Sequence, residues 1–216
     1  MKNINYVTWH KHKDLEKIAA DIHSKFKCKV PVDIDYIVEM MGLEIFDIPR
    51  LKQDFRLLGL LARVKGKYVI YVPQGDLKLT NYSLNFTIAE ELSHYILHKD
   101  HFEDVDDFVE AYEFYTKISE QSEMMVELDA KHLASAILLP KDSLRSSAEE
   151  IFHKNKAIYS KILDNNYDAI IDHIASSLED KFKVPEGKIA QRLKCSELNF
   201  REFLKKELGK KNKVEK

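Results

Sequence analysis

The stretch "FTIAEELSHYILH", residues 86–98, decides how the rest of the chain is read. Ile88, Leu92, Tyr95 and Ile96 recur at the three- and four-residue intervals of a helix with one buried stripe. Ser83 or Asn85 is suited to cap its start. Glu90 and Glu91 lie outside that stripe. Positions four apart project from one helical face, so Glu90 and His94 reach toward one point while Glu91 is rotated toward a neighbouring one.

Upstream, Leu15, Ile18, Ala19, Ile22 and Phe26 predict a helix over 13–26, and Asp33 can cap a short helix carrying Ile34, Ile37, Val38 and Met41 that ends at Gly42. The period then changes. "LEIFDI" (43–48), "LLGLLARV" (57–64) and "KYVIYV" (67–72) read as strands, with Lys65 and Gly66 as a tight hairpin turn, giving a small three-stranded antiparallel sheet. Downstream, "DHFEDVDDFVEAYE" (100–113) carries seven acidic residues and reads as a loop or short helix at the protein's mouth. A helix over about 122–139, with Met125, Leu128, Ala134, Ile137 and Leu138 inward, is halted by Pro140. Further helices are expected at about 142–154, 155–163, 167–182, 186–194 and 197–208. The expected class is therefore α+β, with a core at 1–140, a helical C-terminal region at 141–208 packed on it, and a flexible lysine-rich tail at 209–216.

The 216 residues are 44% hydrophobic and 32% charged, with 6 Gly and 5 Pro, as in a helical globular protein. A formal net charge of −2 offers no global field for nucleic acid. Cys28 and Cys195 form no CxxC pair, which fits a reducing compartment, and no segment reaches the roughly 18 apolar residues of a membrane span. A cytoplasmic protein with no membrane partner is the expectation.

Two ligands four apart with a carboxylate beside them is the geometric logic of H-E-x-x-H, where the glutamate takes a proton from metal-bound water. A third ligand must come from elsewhere. Glu123, Glu127 and Asp129 on the 122–139 helix are the acidic candidates, and spacing does not choose among them. A bare E-E-x-x-H is weak as a motif, because Glu and His are common on the polar face of any helix. His10, His12, His23, His101, His153 and His173 have no mutually supporting ligand spacing and are expected to be mostly exposed.

"FTIAEELSHYILH" and "ELDAKHLASAILLP" (127–140) both align without gaps to the two core blocks of the ImmA/IrrE family of zinc metallopeptidases, which the chain resembles. "VPVDIDYIVEMMGLEIFDIP", "LLGLLARV", "YVIYVP" and "FKVPEGKIAQRL" extend the resemblance over most of the chain. It implies zincin-like helices packed on the sheet, His94 as the second histidine ligand, Glu91 as general base and Glu127 as the carboxylate ligand. Glu90 stands where the family carries its first histidine; Ser93, Lys131 and Leu133 replace a glycine, an asparagine and a phenylalanine. His98, Asp129, Lys131 and His132 are expected beside the site or at its entrance.

Three readings of Glu90 follow. Glu90, His94 and Glu127 hold a divalent metal, zinc first, with manganese or iron also tolerated by the two carboxylates. Alternatively the site is empty and a protonated His94 bridges Glu90 and Glu127. In the third, His98 or His132 swings in as a substitute nitrogen ligand. The resemblance implies an endopeptidase-like protein acting on a regulatory protein, such as a helix-turn-helix repressor of a mobile element or stress response. The alternatives are a catalytically inactive module that binds such a regulator and, ranked last, a DNA-binding regulator using residues 179–208, whose second helix offers Lys188, Gln191, Arg192 and Lys194 to a groove.

Overall fold

The computed structural model describes residues 10–75, 81–117, 120–162 and 166–209, excluding the side chains at 120–125 and 162. The tail beyond 209 and the side chain of Glu123 thus lie outside the described residues. The chain divides into two compact units, Met1–Leu138 and Leu139–Lys216.

In the first unit, α1 (His12–Phe26) buries Leu15, Ala19 and Ile22 and ends on Lys27 in the left-handed region. The Asp33 carboxylate accepts from the Tyr36 N–H at 3.0 Å and starts α2 (Ile34–Met40), and Gly42 at φ +80° releases the chain. Then come β1 (Glu44–Ile48), α3 (Leu51–Phe55), β2 (Leu60–Val64) and β3 (Lys67–Pro73). Lys65 and Gly66, both at positive φ, make the turn between β2 and β3. α4 (Asn81–His98) carries the 86–98 stretch and runs through a short 3-10 turn into β4 (Asp104–Val105), followed by α5 (Phe108–Tyr115) and α6 (Glu120–Leu138).

The α+β class is as expected, but the sheet differs in detail. It has four strands in the order β1-β3-β2-β4, and only β2 and β3 are antiparallel; β1 pairs parallel to β3, and β4 parallel to β2. The connection over 49–59, which contains α3, turns the chain around, so β2 runs against β1 and the hairpin brings β3 back between them. The acidic stretch covers the sheet instead of forming a mouth. Phe108 and Tyr112 of α5 pack with Phe55 of α3 on Leu60, Ala62, Val69 and Tyr71, while alternation turns Leu61, Ile70 and Val72 to the other face. α4 packs against β2 and β3 and also against α2 and α6, and α1 lies against α6.

Being enclosed on several sides, α4 buries Thr87, Ser93, His94 and His98 as well as Phe86, Ile88, Ala89 and Leu92, so the single stripe expected for it is too narrow. Ser83 and Asn85 lie inside α4 and do not cap it. On α6 the buried stripe is Ala130, Leu133, Ala134 and Ile137; Leu128, expected inward, is 50% exposed because it falls on the opposite face.

The second unit is all helix among the described residues: α7 (Lys141–Ile162), α8 (Tyr167–Phe182), α9 (Glu186–Lys194) and α10 (Phe200–Gly209). α7 joins the two helices expected at 142–154 and 155–163, since no Gly or Pro interrupts "FHKNKAIYSK". Leu144, Phe152, Ile174, Phe182, Leu193 and Phe200 form its core. Arg192 is 1% exposed, and Lys194 pairs with Asp172 at 2.9 Å, so two of the four side chains expected to face a groove are engaged within the unit. No helix among the described residues is long and apolar enough to cross a membrane.

Candidate functional site

α4 presents Glu90, Glu91, His94 and His98; α6, packed against it, presents Glu127, Asp129, Lys131 and His132. His94 Nε2 donates to Glu127 Oε1 at 3.2 Å. Lys131 Nζ donates to the other oxygen, Glu127 Oε2, at 2.7 Å, and lies 3.4 Å from Glu90 Oε1. An ammonium group therefore joins the carboxylate on α6 to the one on α4. His94 meets Glu127 directly, and Lys131 links Glu127 to Glu90.

The electrostatics follow from that arrangement. Burial disfavours a charged His94, but the hydrogen bond to Glu127 and the carboxylates of Glu91, Glu127 and Glu90 outweigh it and raise its pKa. Burial likewise opposes ionised Glu127, yet His94 and Lys131 bring it down to about 2. For Lys131 the same contest ends with a raised pKa, held up by Glu127 and Glu90.

Glu91 sits differently. Its Oε2 accepts the Leu61 backbone N–H of β2 at 2.8 Å, and burial, only partly offset by His94, pushes its carboxyl up to about 7. Far from lying outside the packed face of α4, Glu91 touches the sheet. Gly59 makes this approach feasible: a Cβ there would come within 2.7 Å of Glu91 Oε1 and of Thr87 Cγ2. Sequence reading passed over Gly59, although a lone glycine beside a strand often marks a close approach of this kind. On the opposite, α5 side of the sheet a small cavity is lined by Leu60, Ala62, Phe102, Val105, Phe114 and Tyr115.

The remaining candidates separate into two directions. His132 Nε2 lies 3.2 Å from Glu16 on α1, so it points away from Glu90 and His94. Asp129, 2% exposed, accepts at Oδ2 from both the backbone N–H of His10 (3.0 Å) and its ring Nδ1 (2.9 Å). His98 is 6% exposed, with its ring centre 5.5 Å from that of His94, and neither of its buried ring nitrogens has a hydrogen-bond partner. Burial, reinforced by the neighbouring His94, His10 and His101, lowers its pKa to about 3. Among the described residues of the first unit, His10, His98 and Asp129 each bring one donor atom within 4.8 Å of the others; Glu90, His94 and Glu127 do not form such a group. His10, read from sequence as unsupported, is thus a half-buried neighbour of the site, brought there by a fold contact across 119 residues.

Residues 76–194 match the family model described as IrrE N-terminal-like domain, Peptidase_M78. A solved structure described as a Mycobacterium tuberculosis transcriptional regulator superposes with a TM-score of 0.51 at 16% identity, over 88% of this chain and 47% of that one. The chain thus spans about half the length of that protein, and the likeness concerns fold. No curated protein matches the chain.

Proposed function

The chain belongs to the IrrE N-terminal-like, Peptidase_M78 family, and from that premise we propose that it is a peptidase-like protein that binds a regulatory protein, its catalytic metal centre replaced by an ion-pair network. One observation carries this reading: the Lys131 ammonium, 2.7 Å from Glu127 and 3.4 Å from Glu90, supplies the positive charge that a metal would bring between α4 and α6.

The donors do not fit a metal as they stand. Both Glu127 oxygens are engaged, one by His94 and one by Lys131, and the nitrogen His94 would offer is the one facing Glu127. A divalent cation at that centre would face an ammonium within bonding distance of its own ligand. Glu90 for histidine and Lys131 for asparagine are complementary departures: one adds a negative charge on α4 and the other a positive charge on α6. Glu91 supports the same reading, because one oxygen is held by the Leu61 N–H, a backbone donor of the kind an added peptide strand would use. No hydrolytic step is derived from this arrangement.

The partner is inferred from family likeness as a regulator of the helix-turn-helix repressor type. An active endopeptidase remains the competing reading, and one feature favours it: a carboxyl at about 7 in the general-base position is suited to proton transfer near neutral pH.

Cleavage separates the two. Incubated with a helix-turn-helix repressor and zinc, the wild-type chain is expected to bind without cutting. Glu90→His combined with Lys131→Asn should gain an equivalent of zinc that is lost again on adding His94→Ala. Wild-type cleavage that disappears in Glu91→Gln would establish the active enzyme instead.

A further inference from the structure

The unassigned cluster beside the family centre has the composition of a metal site in its own right. We propose that His10, His98 and Asp129 bind a divalent cation of the zinc class, about one helical turn along α4 from the centre that Lys131 fills.

Three observations converge. One donor atom from each of the three side chains lies within 4.8 Å of the other two. His98 is 94% buried, yet neither Nδ1 nor Nε2 has a hydrogen-bond partner, although a neutral imidazole carries both a donor and an acceptor that need satisfying. Asp129 is 2% exposed, and its Oδ2 meets both the backbone N–H and the ring Nδ1 of His10. A cation accepting a lone pair from His98 and one from Asp129 would satisfy both side chains at once.

The donor set also matches. Two imidazoles and one carboxylate are what zinc takes when one coordination position is left to water, and ferrous iron accepts the same trio. By contrast, the family centre has one imidazole, two carboxylates and an ammonium. On α4 the shift is one helical turn, His98 lying four residues beyond His94, and on α6 the carboxylate is that of Asp129 in place of Glu127. His10, just ahead of α1, completes the set. Nothing in this depends on the family centre being silent.

The test is a titration of the chelator-stripped full chain with zinc alone, by competition with a chromophoric chelator, and with cobalt alone, read by its ligand-field absorption. Wild type should bind one equivalent. His98→Ala and His10→Ala should each weaken binding by roughly 100-fold or more, since even outer-shell changes at metal sites cost 10- to 100-fold. His94→Ala should leave it within about 3-fold. Because His10 lies at the edge of the fold, His10→Ala keeps the test decisive if His98→Ala fails to fold. Absence of stoichiometric binding, or binding indifferent to His10→Ala, overturns the site. Binding that is lost in His94→Ala and kept in His10→Ala moves the metal to the family centre and overturns the reading of Lys131 as well.

Discussion

At the scale of single residues, Glu91 and Glu127 are adjacent carboxylates pushed in opposite directions. Glu91 rises from 4.5 to about 7, so between those values the folded chain holds a proton that the unfolded chain has lost, and stability falls as pH rises through this window. Glu91→Gln keeps an acceptor for the Leu61 N–H and removes the titration. Its stability relative to wild type should therefore improve from pH 5 to pH 8, by no more than about 3 kcal/mol; denaturant melts at the two pH values measure this, and a constant difference would mean that Glu91 is not held protonated. Glu127 behaves in the reverse sense. Depressed to about 2, it stabilises the fold above its ordinary range, and that contribution is lost as pH falls from about 4.5 toward 2. Lys131→Met removes one of its two partners and leaves Glu90 facing it, so acid unfolding should begin at higher pH. Lys131 is 43% exposed, and solvent screening limits the loss at neutral pH to about 1 kcal/mol. An unchanged acid transition would show that the ammonium contributes nothing there.

Among elements, the decisive contact is α4 against β2. It requires Gly59, where an added methyl would meet Thr87 Cγ2 and Glu91 Oε1, each at 2.7 Å. The glutamate end can rotate, but the β-branched threonine on a buried helix face cannot. Gly59→Ala is expected to cost roughly 1–3 kcal/mol and to displace β2 from α4. Unaltered stability by chemical denaturation would indicate that β2 yields freely. The α4 pattern also shows why sequence reading faltered at this scale. A helix covered by β2, β3, α2 and α6 has no single dry stripe, so Thr87, Ser93, His94 and His98 are buried on faces that periodicity assigns to solvent. Local chemistry was easier to read: Asp33, Gly42 and the Lys65–Gly66 turn act through neighbours in the chain and sit where the sequence places them.

For the whole molecule, charge and burial argue together about nucleic acid. Net charge is −2, Arg192 is buried, and Lys194 and Arg201 pair with Asp172 and Asp168. Duplex DNA should show no measurable affinity even at low salt; binding whose logarithm falls linearly with the logarithm of salt concentration would return residues 179–208 to consideration. The two compact units each have a core of their own, the first around the sheet and α4, the second around Phe152, Phe182 and Phe200.

Sequence alone was sufficient for the α+β class and for most helix boundaries after Pro140, because helical spacing and helix breakers are local properties of the chain. Only the tertiary structure could show that Lys131 lies between Glu90 and Glu127, that Glu91 binds β2, and that His10 reaches Asp129. Lys131 to Glu127 is a four-residue helical step, but Lys131 to Glu90, Glu91 to Leu61 and His10 to Asp129 join residues 30 to 119 positions apart, where distance is set by the packing of α1, α4, α6 and the sheet and not by any period in the sequence.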